Sequence, residues 1–571
     1  MDDQYDAIIV GSGAGGATAA HALTARGLRV AVLEKGTRRT LEDFTPFDEL
    51  HFVDHKELIP LRSRDPNVYL DPKNNKKETT VERWWIANMV GGSTMLWEAN
   101  LPRYTEEDFK LRDYMKNPPS DASVVNWPWS YEEFQPYFEK AEHVWGVSGK
   151  ANQSRSQEPT RQGYEYPMPP LRPHAQVPLI KKAFGKAGMD PYLSPRGINS
   201  RTYDGRPACP FCGYCQGFGC SVNDRANAMN TVLRKALATG LCDLFTGHNV
   251  VRIDHENGRV KGVFYQDEPN GKIKHLRADR VFVSIQAIES ARLFLLSEIP
   301  NENDHIGRYL TYHTKGAADL SFKGQPVWDE GPDRMYQPRT SLGSLQLRDL
   351  YMINDPRRPE LNDPTAPPEL SKGGKFSIYD PFTVSTPIKL ATRAGLRGKT
   401  NLWGKELQER LVDLRSNGGV QFSFTGETLS RWENRVELDR TTKDATTGQT
   451  HTMVTDPWGQ PVSRISYEHH PYDVKLSEYC LNRVVKIMVD AGAELHTFDP
   501  QKTDNPGYGH NHGTLRAGRD PGVSVLDENC QSHAVKGLYV LDCSWMPTAG
   551  ASNPTLTLIA NAYRVCDNLS F

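Results

Sequence analysis

A glycine-rich turn near the start of the chain constrains the fold more than any other feature. The segment YDAIIVGSGAGGATAAHALTARGLRVAVLEKG contains an apolar strand at Ala7 to Val10, a glycine turn, an alanine-rich helix and a second strand at Arg29 to Glu34. A strand, a helix and a second strand in this order predict a βαβ unit. The chain is therefore expected to begin with an α/β domain.

Three glycines and one acid give this unit a predicted ligand. Gly11, Gly13 and Gly16 form the pattern GxGxxG, and Glu34 ends the second strand. In a dinucleotide-binding turn the first glycine makes the turn, the second lets a pyrophosphate approach the helix N-terminus, and the third packs the helix on the strand. The terminal acid binds the ribose hydroxyls. The pattern predicts a dinucleotide site, but it does not separate FAD from NAD.

Length and charge set the broad class of the protein. At 571 residues the chain is too long for a single hydrophobic core, so we expect two or more domains. The 68 basic and 70 acidic residues nearly cancel, which argues against a nucleic-acid-binding surface. No apolar run reaches the roughly 18 residues of a spanning helix, so we expect no transmembrane segment. The acidic start, Met1 to Tyr5, leads us to expect no signal peptide.

Four cysteines crowd into the segment ACPFCGYCQGFGC. Cys209, Cys212, Cys215 and Cys220 have the spacing C-x2-C-x2-C-x4-C. Structural zinc sites usually draw ligand pairs from separated segments, so zinc fits this single loop less well than iron and sulfide. The spacing approaches a ferredoxin run but has one extra residue and no following proline. An iron–sulfur cluster, zinc and a cysteine-rich loop without metal therefore all remain open, and we predict the first.

Five further motifs occur in an order that carries a family resemblance. They are GGSTMLWEANLPR, QAIESARLFLLS, DHIGRYLTYH, HNHGTLRAGRDP and LDCSWMPTAGASNPTLTLIANA. With the glycine turn, they make the chain resemble the glucose-methanol-choline family of flavin oxidoreductases from end to end. The resemblance implies bound FAD and an α/β fold in which a Rossmann-like FAD-binding domain joins an α+β substrate domain with an antiparallel sheet.

The resemblance also implies how the chain divides. We expect an FAD-binding domain from residues 1–55, 80–125, 205–315 and 505–571, which includes the cysteine loop 209–220. Residues 126–204 and 316–504 are expected to form the substrate-binding domain. A long stretch of the second group alternates short strands with Pro, Gly and Asp-rich loops, which predicts a mainly antiparallel sheet.

Several cofactor contacts follow from the resemblance alone. Gly91, Gly92 and Ser93 would lie along the flavin and the pyrophosphate, Val250 would hold the adenine edge through its backbone, and Asp542 would sit near the ribityl chain or the pyrophosphate. No covalent link to the flavin is implied.

The sequence departs from the family's pattern at three positions of the motifs. Trp97 stands where many members have Asn or His, Gln286 replaces a usual glycine before a helix, and Ala517 replaces a usual methionine. These departures affect the shape of the flavin pocket. Trp97, Trp127 and Trp129 are candidates for stacking on a sugar, although core packing is the commoner role of such residues.

The resemblance assigns a catalytic pair near the C-terminus. His510 is the expected base, and Asn553 is its expected partner. Oxidation of an alcohol removes a hydroxyl proton while hydride leaves the carbon, and an imidazole with an ordinary pKa of about 6.5 can accept that proton. The Asn553 amide can donate to the same oxygen. His512 in the same loop is the rival for the role of base.

A subset of the family, the bacterial sugar dehydrogenases of the glucose, fructose and glucoside 3-dehydrogenase type, resembles this chain in its cysteine loop. That resemblance implies a [3Fe-4S] cluster held by three of the four thiols and electrons leaving singly to a cytochrome c or another acceptor. We therefore predict an FAD-dependent dehydrogenase that oxidises a secondary alcohol of a sugar or glycoside, with C3 as the expected carbon.

Two rival functions and a set of partners complete the sequence predictions. The alternatives are an oxidase of the same family that uses O2 and a non-catalytic subunit of a redox complex. In related dehydrogenases a small companion subunit carries the export signal. We therefore expect such a companion, with a periplasmic location through it or else a cytoplasmic one.

Overall fold

The described part of the chain contains both helices and strands, and the strands form several separate sheets. The computed structural model describes residues 5–44, 66–71, 77–82, 86–115, 117–174, 176–212, 215, 218–269, 271–324, 345–379, 402–416, 418–443, 450–501 and 510–570. The helices of this part are α1 (Ala14–Ala25), α2 (Glu106–Phe109), α3 (Leu111–Tyr114), α4 (Tyr131–Trp145), α5 (Val177–Lys186), α6 (Arg234–Ala238), α7 (Ala287–Leu296), α8 (Gly404–Ser416), α9 (Pro471–Asp490) and α10 (Thr555–Asn568).

The strands are distributed over several sheets. They are β1 (Ala7–Val10), β2 (Val30–Glu34), β3 (Pro66–Asp71), β4 (Lys77–Glu82), β5 (Tyr192–Leu193), β6 (Cys242–Thr246), β7 (Asn249–Glu256), β8 (Arg259–Gln266), β9 (Lys274–Arg277), β10 (Val281–Val283), β11 (Thr311–Tyr312), β12 (Thr314–Phe322), β13 (Leu345–Leu347), β14 (Gly374–Tyr379), β15 (Gly418–Gly426), β16 (Arg435–Leu438), β17 (Thr442–Lys443), β18 (Thr450–His451), β19 (Ser463–Ser466), β20 (Glu494–Asp499), β21 (Asn511–His512) and β22 (Leu538–Val540).

A parallel sheet forms the centre of the first domain. Its order is β22-β10-β1-β2-β6, and every neighbouring pair runs parallel. The strands β1, β2, β10 and β22 are fully buried, as expected for parallel strands covered on both faces. Helices α1 and α10 pack on each other beside this sheet. The arrangement confirms the predicted βαβ start and places Gly11 and Glu34 at the carboxyl ends of adjacent strands.

An antiparallel sheet forms the second domain, in the order β20-β12-β15-β14-β13-β5. Side chains alternate between its two faces. One face carries Phe376, Ile378, Phe422 and Phe424, which are buried in one hydrophobic cluster with residues of α9. The opposite face is polar, and part of it lines the cavity described below. The sheet confirms the mainly antiparallel prediction for this part of the chain.

Packing does not follow the predicted domain division everywhere. Helix α4, which falls in the predicted substrate segment 126–204, packs on α10 and shares the hydrophobic cluster of the parallel sheet. Strands β16 and β19, from the segment 316–504, join β3 and β4 in a sheet and contact α7. Residues 45–65 and 325–344 of the predicted domains lie outside the described residues. The boundaries themselves remain a prediction.

Two local features of the chain follow from single residues. Asn257 and Gly258 join β7 to β8 with φ of 51° and 69°, the conformation that an Asn-Gly hairpin turn requires. Gln286 precedes α7 with φ of 83°, which explains why glycine is usual there, since other residues rarely adopt this region. The Gln286 side chain accepts hydrogen bonds from the amides of Ile288 and Glu289 at 2.8 and 3.4 Å, which caps the helix.

None of the helices in the described ranges is long and apolar enough to cross a bilayer.

Candidate active site

A cavity of ≈ 470 Å³ runs from the glycine turn after β1 to the polar face of the antiparallel sheet. Gly11, Glu34 and Val250 line one end. His510 and Asn553 line the cavity as well. The cavity opens at the carboxyl edge of the parallel sheet, where open α/β sheets bind their ligands.

The three glycines of the turn have different surroundings. Gly11 has φ of +93°, and a Cβ there would lie 2.5 Å from the Ser284 carbonyl oxygen. A Cβ on Gly16 would lie 2.0 Å from the Gly11 carbonyl oxygen, so Gly16 allows α1 to approach β1. A Cβ on Gly13 would meet no atom within 4 Å, and Gly13 lines the cavity. Gly11 thus has the conformation of a turn, Gly16 allows close packing, and Gly13 leaves open space beside the cavity.

Two buried carboxylates line the cavity and hold backbone amides. Glu34 accepts hydrogen bonds from the Ser12 amide at 3.0 Å and the Gly36 amide at 2.8 Å. Asp542 accepts from the Ile285 amide at 3.0 Å and the Ser544 amide at 2.9 Å. Burial raises the pKa of both carboxyl groups. Their hydrogen bonds fix the loops that form the cofactor end of the cavity.

The other predicted cofactor residues lie at the same end, with one exception. Gly92, Ser93 and Val250 line the cavity. Gly91 is set behind them, where its amide donates to the Ser12 hydroxyl at 3.0 Å. Gly91 therefore supports the glycine turn rather than lining the cavity.

His510 and Asn553 lie together, as the predicted mechanism requires. The Asn553 amide nitrogen lies 3.3 Å from His510 Nε2. The Asn553 Oδ1 atom accepts a hydrogen bond from Asn100 Nδ2 at 3.1 Å, which fixes the orientation of the amide. Asn100 Oδ1 in turn accepts from the Ser194 hydroxyl at 2.8 Å and from the Gln346 amide at 3.0 Å. Asn553 therefore presents its donor side to His510.

A chain of hydrogen bonds sets the tautomer of His510. His313 Nε2 lies 3.2 Å from the Ala549 carbonyl oxygen, which only accepts, so His313 carries its proton on Nε2. His313 Nδ1 lies 3.0 Å from His510 Nδ1, so the neutral His313 accepts there and His510 donates. In neutral His510 this leaves the lone pair on Nε2, beside Asn553. The network leaves the lone pair of His510 Nε2 able to accept a proton.

His512, the rival base, lies outside the cavity lining. It is fully buried, pairs with Thr311 between β21 and β11, and its ring lies 4.8 Å from that of His313. Burial and the nearby Lys315 ammonium lower the pKa of His512 to about 3. The surroundings of His512 therefore favour a neutral imidazole with a structural role, whereas His510 lines the cavity.

Electrostatics keep His510 neutral. Burial lowers its pKa well below the ordinary value of 6.5, and Lys315, His512 and Lys375 lower it further. Burial, His512, His510 and Lys315 also lower the pKa of His313. A neutral imidazole is the form that accepts a proton, so His510 keeps this form at and below neutral pH.

We expect the rate of flavin reduction at saturating substrate to stay level as the pH falls through the ordinary titration range of histidine. In Lys315→Met the loss of the ammonium raises the pKa of His510, because a nearby cation disfavours the imidazolium. The acid limb of the rate profile should therefore move to higher pH. Lys405→Met, at a side chain that is 87% exposed, serves as the control. If the fall in rate occurs at the same pH or at a lower pH in Lys315→Met, Lys315 does not lower the pKa of His510.

The four clustered cysteines do not form a metal centre in the described residues. Cys209 and Cys215 pack against Ala99, Leu171 and Ile198, and Cys212 is exposed. Cys220 Sγ donates to Asp224 Oδ1 at 3.6 Å. Burial raises the pKa of the Cys215 thiol to about 12. No group of three or more His, Cys, Asp or Glu in the described ranges is placed to hold a metal ion, so the geometry does not support the predicted iron–sulfur cluster.

A long cavity with a glycine turn at one end and a base at the other fits FAD. The open space at Gly13 and the buried carboxylates Glu34 and Asp542 suit the dinucleotide portion. His510 and Asn553 lie where the redox-active portion of such a cofactor would meet a substrate. The residues present therefore fit the predicted group.

Sequence reasoning missed most of the residues that line the remainder of the cavity. Lys315, Lys375 and Tyr379 come from strands of the antiparallel sheet, and Glu98 and Asn100 come from the loop after the GGS segment. Trp97 also lines the cavity, but Trp127 and Trp129 are 4% and 6% exposed and belong to the core. His313 has a contact with the base that its sequence position did not indicate. The alternation of side chains along a strand could have placed Lys315 and Lys375 on a polar face of the sheet. It does not show which face of the sheet lies against the FAD-binding domain.

The family model and the related sequences identify the same class of proteins. The family model of the GMC oxidoreductases matches residues 5–315 with its N-terminal part and residues 445–562 with its C-terminal part. The chain is 28% identical to 2-methyl-1,2-propanediol dehydrogenase of Mycolicibacterium austroafricanum, over 100% of this chain and 95% of that protein. It is 25% identical to the fructose dehydrogenase large subunit of Gluconobacter japonicus, over 98% and 97%.

A solved structure shows the same fold. The crystal structure of pyridoxine 4-oxidase from Mesorbium loti superimposes with a TM-score of 0.61 over 99% of both chains, at 17% identity. The match confirms the predicted two-domain α/β architecture. The family model covers more than half of the chain with its N-terminal part alone. The chain therefore belongs to the GMC oxidoreductase family, as its ordered motifs predict, and is a flavin-dependent oxidoreductase that acts on alcohol groups.

Proposed function

We propose that the protein is an FAD-dependent dehydrogenase that oxidises a CH–OH group of a sugar or glycoside. The observation that carries this proposal is the 3.3 Å approach of the Asn553 amide to His510 Nε2 in a cavity that continues to the glycine turn. The names of two relatives, a diol dehydrogenase and a fructose dehydrogenase subunit, support a hydroxylated substrate and a dehydrogenase.

The residues divide the reaction between them. His510 Nε2 accepts the hydroxyl proton, and the donor side of the Asn553 amide holds the same oxygen and stabilises its developing negative charge. His313 keeps the lone pair of His510 on Nε2 through their 3.0 Å contact. FAD, when bound, supplies the acceptor for the hydride that leaves the carbon.

The finer predictions remain proposals. Oxidation at C3 of the sugar rests on the resemblance of the cysteine loop to glucoside 3-dehydrogenases. Electron exit through an iron–sulfur cluster has no support from the described cysteine geometry, and iron and sulfide analysis of the purified protein would test it. A companion subunit is supported by the name of the fructose dehydrogenase relative, and a periplasmic location would follow from such a subunit.

The experiment that tests the proposal is anaerobic reduction of the purified holoenzyme. We expect sugars, glycosides or related polyols to bleach the visible flavin band, and an artificial one-electron acceptor to restore it faster than O2 does. Rapid peroxide release under air would instead identify an oxidase. A purified protein without flavin absorbance would contradict the proposal and favour a non-catalytic subunit.

A further inference from the structure

Asn100 lies on a firmly held segment next to the catalytic pair. The residue before it, Ala99, has φ of 51°, a left-handed conformation that residues other than glycine rarely adopt. The Gly197 amide donates to the Ala99 carbonyl at 2.8 Å, and the Leu101 amide donates to the Pro195 carbonyl at 3.1 Å. Strained residues that their surroundings hold in place are concentrated at functional sites. Asn100 itself is 5% exposed and lines the cavity.

The antiparallel sheet determines which way the Asn100 amide faces. Gln346 Nε2, on β13, donates to Asn100 Oδ1 at 3.0 Å and to the Ser194 hydroxyl at 2.9 Å. Ser194 directly follows β5, the neighbour of β13, and its hydroxyl donates to the same Asn100 oxygen at 2.8 Å. Gln346 and Ser194 are 0% and 3% exposed. Asn100 Oδ1 therefore accepts two buried hydrogen bonds, which leaves Nδ2 on the opposite arm of the amide.

Asn100 in turn selects one of two orientations of the Asn553 amide. Asn100 Nδ2 donates to Asn553 Oδ1 at 3.1 Å, so Asn553 Nδ2 faces His510 Nε2 at 3.3 Å. The opposite orientation would place an amide oxygen beside the lone pair of His510, and two acceptors do not form a hydrogen bond with each other. An oxygen at this position would also repel negative charge that develops on a substrate oxygen.

We infer that Asn100 is a positioning residue for alcohol oxidation, and that Gln346 and Ser194 transmit its orientation from the antiparallel sheet to Asn553. This inference rests on the proposed function and adds a residue to it. Asn100 acts through Asn553, because it keeps the amide donor directed at the oxygen that loses its proton to His510. The catalytic amide, in the loop before α10, is thus oriented by residues of the other sheet.

Asn100→Asp tests this role by changing one group. Aspartate keeps an acceptor for Gln346 and Ser194, but its carboxylate has no proton to donate to Asn553. The Asn553 amide should then turn its nitrogen toward the carboxylate and its oxygen toward the substrate. We expect anaerobic flavin reduction at alkaline pH and saturating substrate to slow by about 10²–10³-fold, the usual cost of losing one donor to a developing oxyanion. The substrate is whichever of glucose, methyl α-glucoside and 1,2-propanediol reduces the native holoenzyme fastest.

A double-mutant cycle with Asn553→Ala separates positioning from a general structural effect. If Asn100 acts through Asn553, Asn100→Asp should slow the Asn553→Ala variant by less than about threefold, because the amide that it orients is gone. Single-turnover reduction followed over hours measures even the slow variants. Asn100 is not a positioning residue if Asn100→Asp costs the same large factor in both backgrounds, or if Asn100→Asp alone keeps the native rate.

Asn561→Asp is the matched control for a buried amide. Asn561 of α10 is 0% exposed and does not line the cavity. Its Oδ1 accepts from Arg564 Nε at 3.0 Å, and its Nδ2 donates to Cys530 Sγ at 3.3 Å. The same substitution therefore keeps an acceptor and removes a donor. We expect the reduction rate to stay within about threefold of native, even where Tm falls.

Asn100→Leu replaces Asn100→Asp if the latter does not fold or does not retain FAD. Leucine has a similar size, carries no charge and leaves the Asn553 amide free to adopt both orientations. We expect a loss of about five- to tenfold, the size of one hydrogen bond, that disappears in the Asn553→Ala background. A native rate in Asn100→Leu, or an equal loss in both backgrounds, contradicts the role of Asn100.

Failure of this role is distinguishable from failure of the proposed function. A native holoenzyme that the alcohols reduce, together with an Asn100→Asp variant of native rate, contradicts only the positioning by Asn100. A native holoenzyme whose flavin is reduced by no hydroxylated compound contradicts the proposed function, and the role of Asn100 falls with it.

Discussion

His510→Ala is expected to bind FAD normally and to lose about 10²–10⁴-fold in the rate of flavin reduction, the usual contribution of a general base. The reason is the position of His510 Nε2, which holds its lone pair 3.3 Å from the Asn553 amide in the cavity. Anaerobic stopped-flow reduction measures the effect directly. Added imidazole should restore part of the rate by occupying the space left by the side chain.

His512→Gln is the matched control for the base. His512 is fully buried, ends strand β21 two residues after His510, and does not line the cavity. We expect the reduction rate of this variant to change less than about tenfold, even where Tm falls. A large loss in His512→Gln together with a native rate in His510→Ala would transfer the role of base to His512.

Gly13→Ala is expected to fold but to lose FAD. The backbone of Gly13 has φ of −67° and ψ of −167°, which alanine adopts without strain, and no atom lies within 4 Å of the added Cβ. The methyl group would occupy cavity space where a pyrophosphate approaches the N-terminus of α1. Losing one charged hydrogen bond weakens binding by about 10- to 100-fold, so we expect native Tm of the apoprotein with little bound flavin.

Substitutions at two other glycines serve as comparisons for this prediction. Gly16→Ala should damage the fold as well as flavin binding, since its Cβ would lie 2.0 Å from the Gly11 carbonyl oxygen. Gly185→Ala lies in α5 with no atom within 4 Å of the added Cβ, so flavin content should not change. If Gly13→Ala retained full flavin content at limiting FAD, the glycine turn would not be the pyrophosphate site.

Local sequence signals predicted the first domain well because their physical requirements are local. Gly11, with its positive φ, and Gly16, with its close approach to the Gly11 carbonyl oxygen, meet backbone requirements that are set within a few residues. Ordered motifs then led to His510 and Asn553, which the structure brings within hydrogen-bonding distance. The family and the fold followed from the same motifs.

The substrate side could not be predicted in the same way. Lys315 and Lys375 meet only because β12 and β14 flank β15, and strand order is not visible in the sequence. The link between His313 and His510 depends on the pairing of β11 with β21 and on the Ala549 carbonyl. Cysteine spacing likewise does not show that Cys209 and Cys215 point into an apolar cluster while Cys212 is exposed.

The most direct test of the active site is a crystal structure of the FAD-loaded enzyme with an unreactive substrate analogue. The decisive measurement is the distance from one analogue hydroxyl oxygen to His510 Nε2 and to Asn553 Nδ2. We predict that both distances fall within about 2.7–3.2 Å. An analogue whose hydroxyl contacts neither side chain, or a His510 ring turned away from the flavin, would contradict the assignment of the catalytic pair.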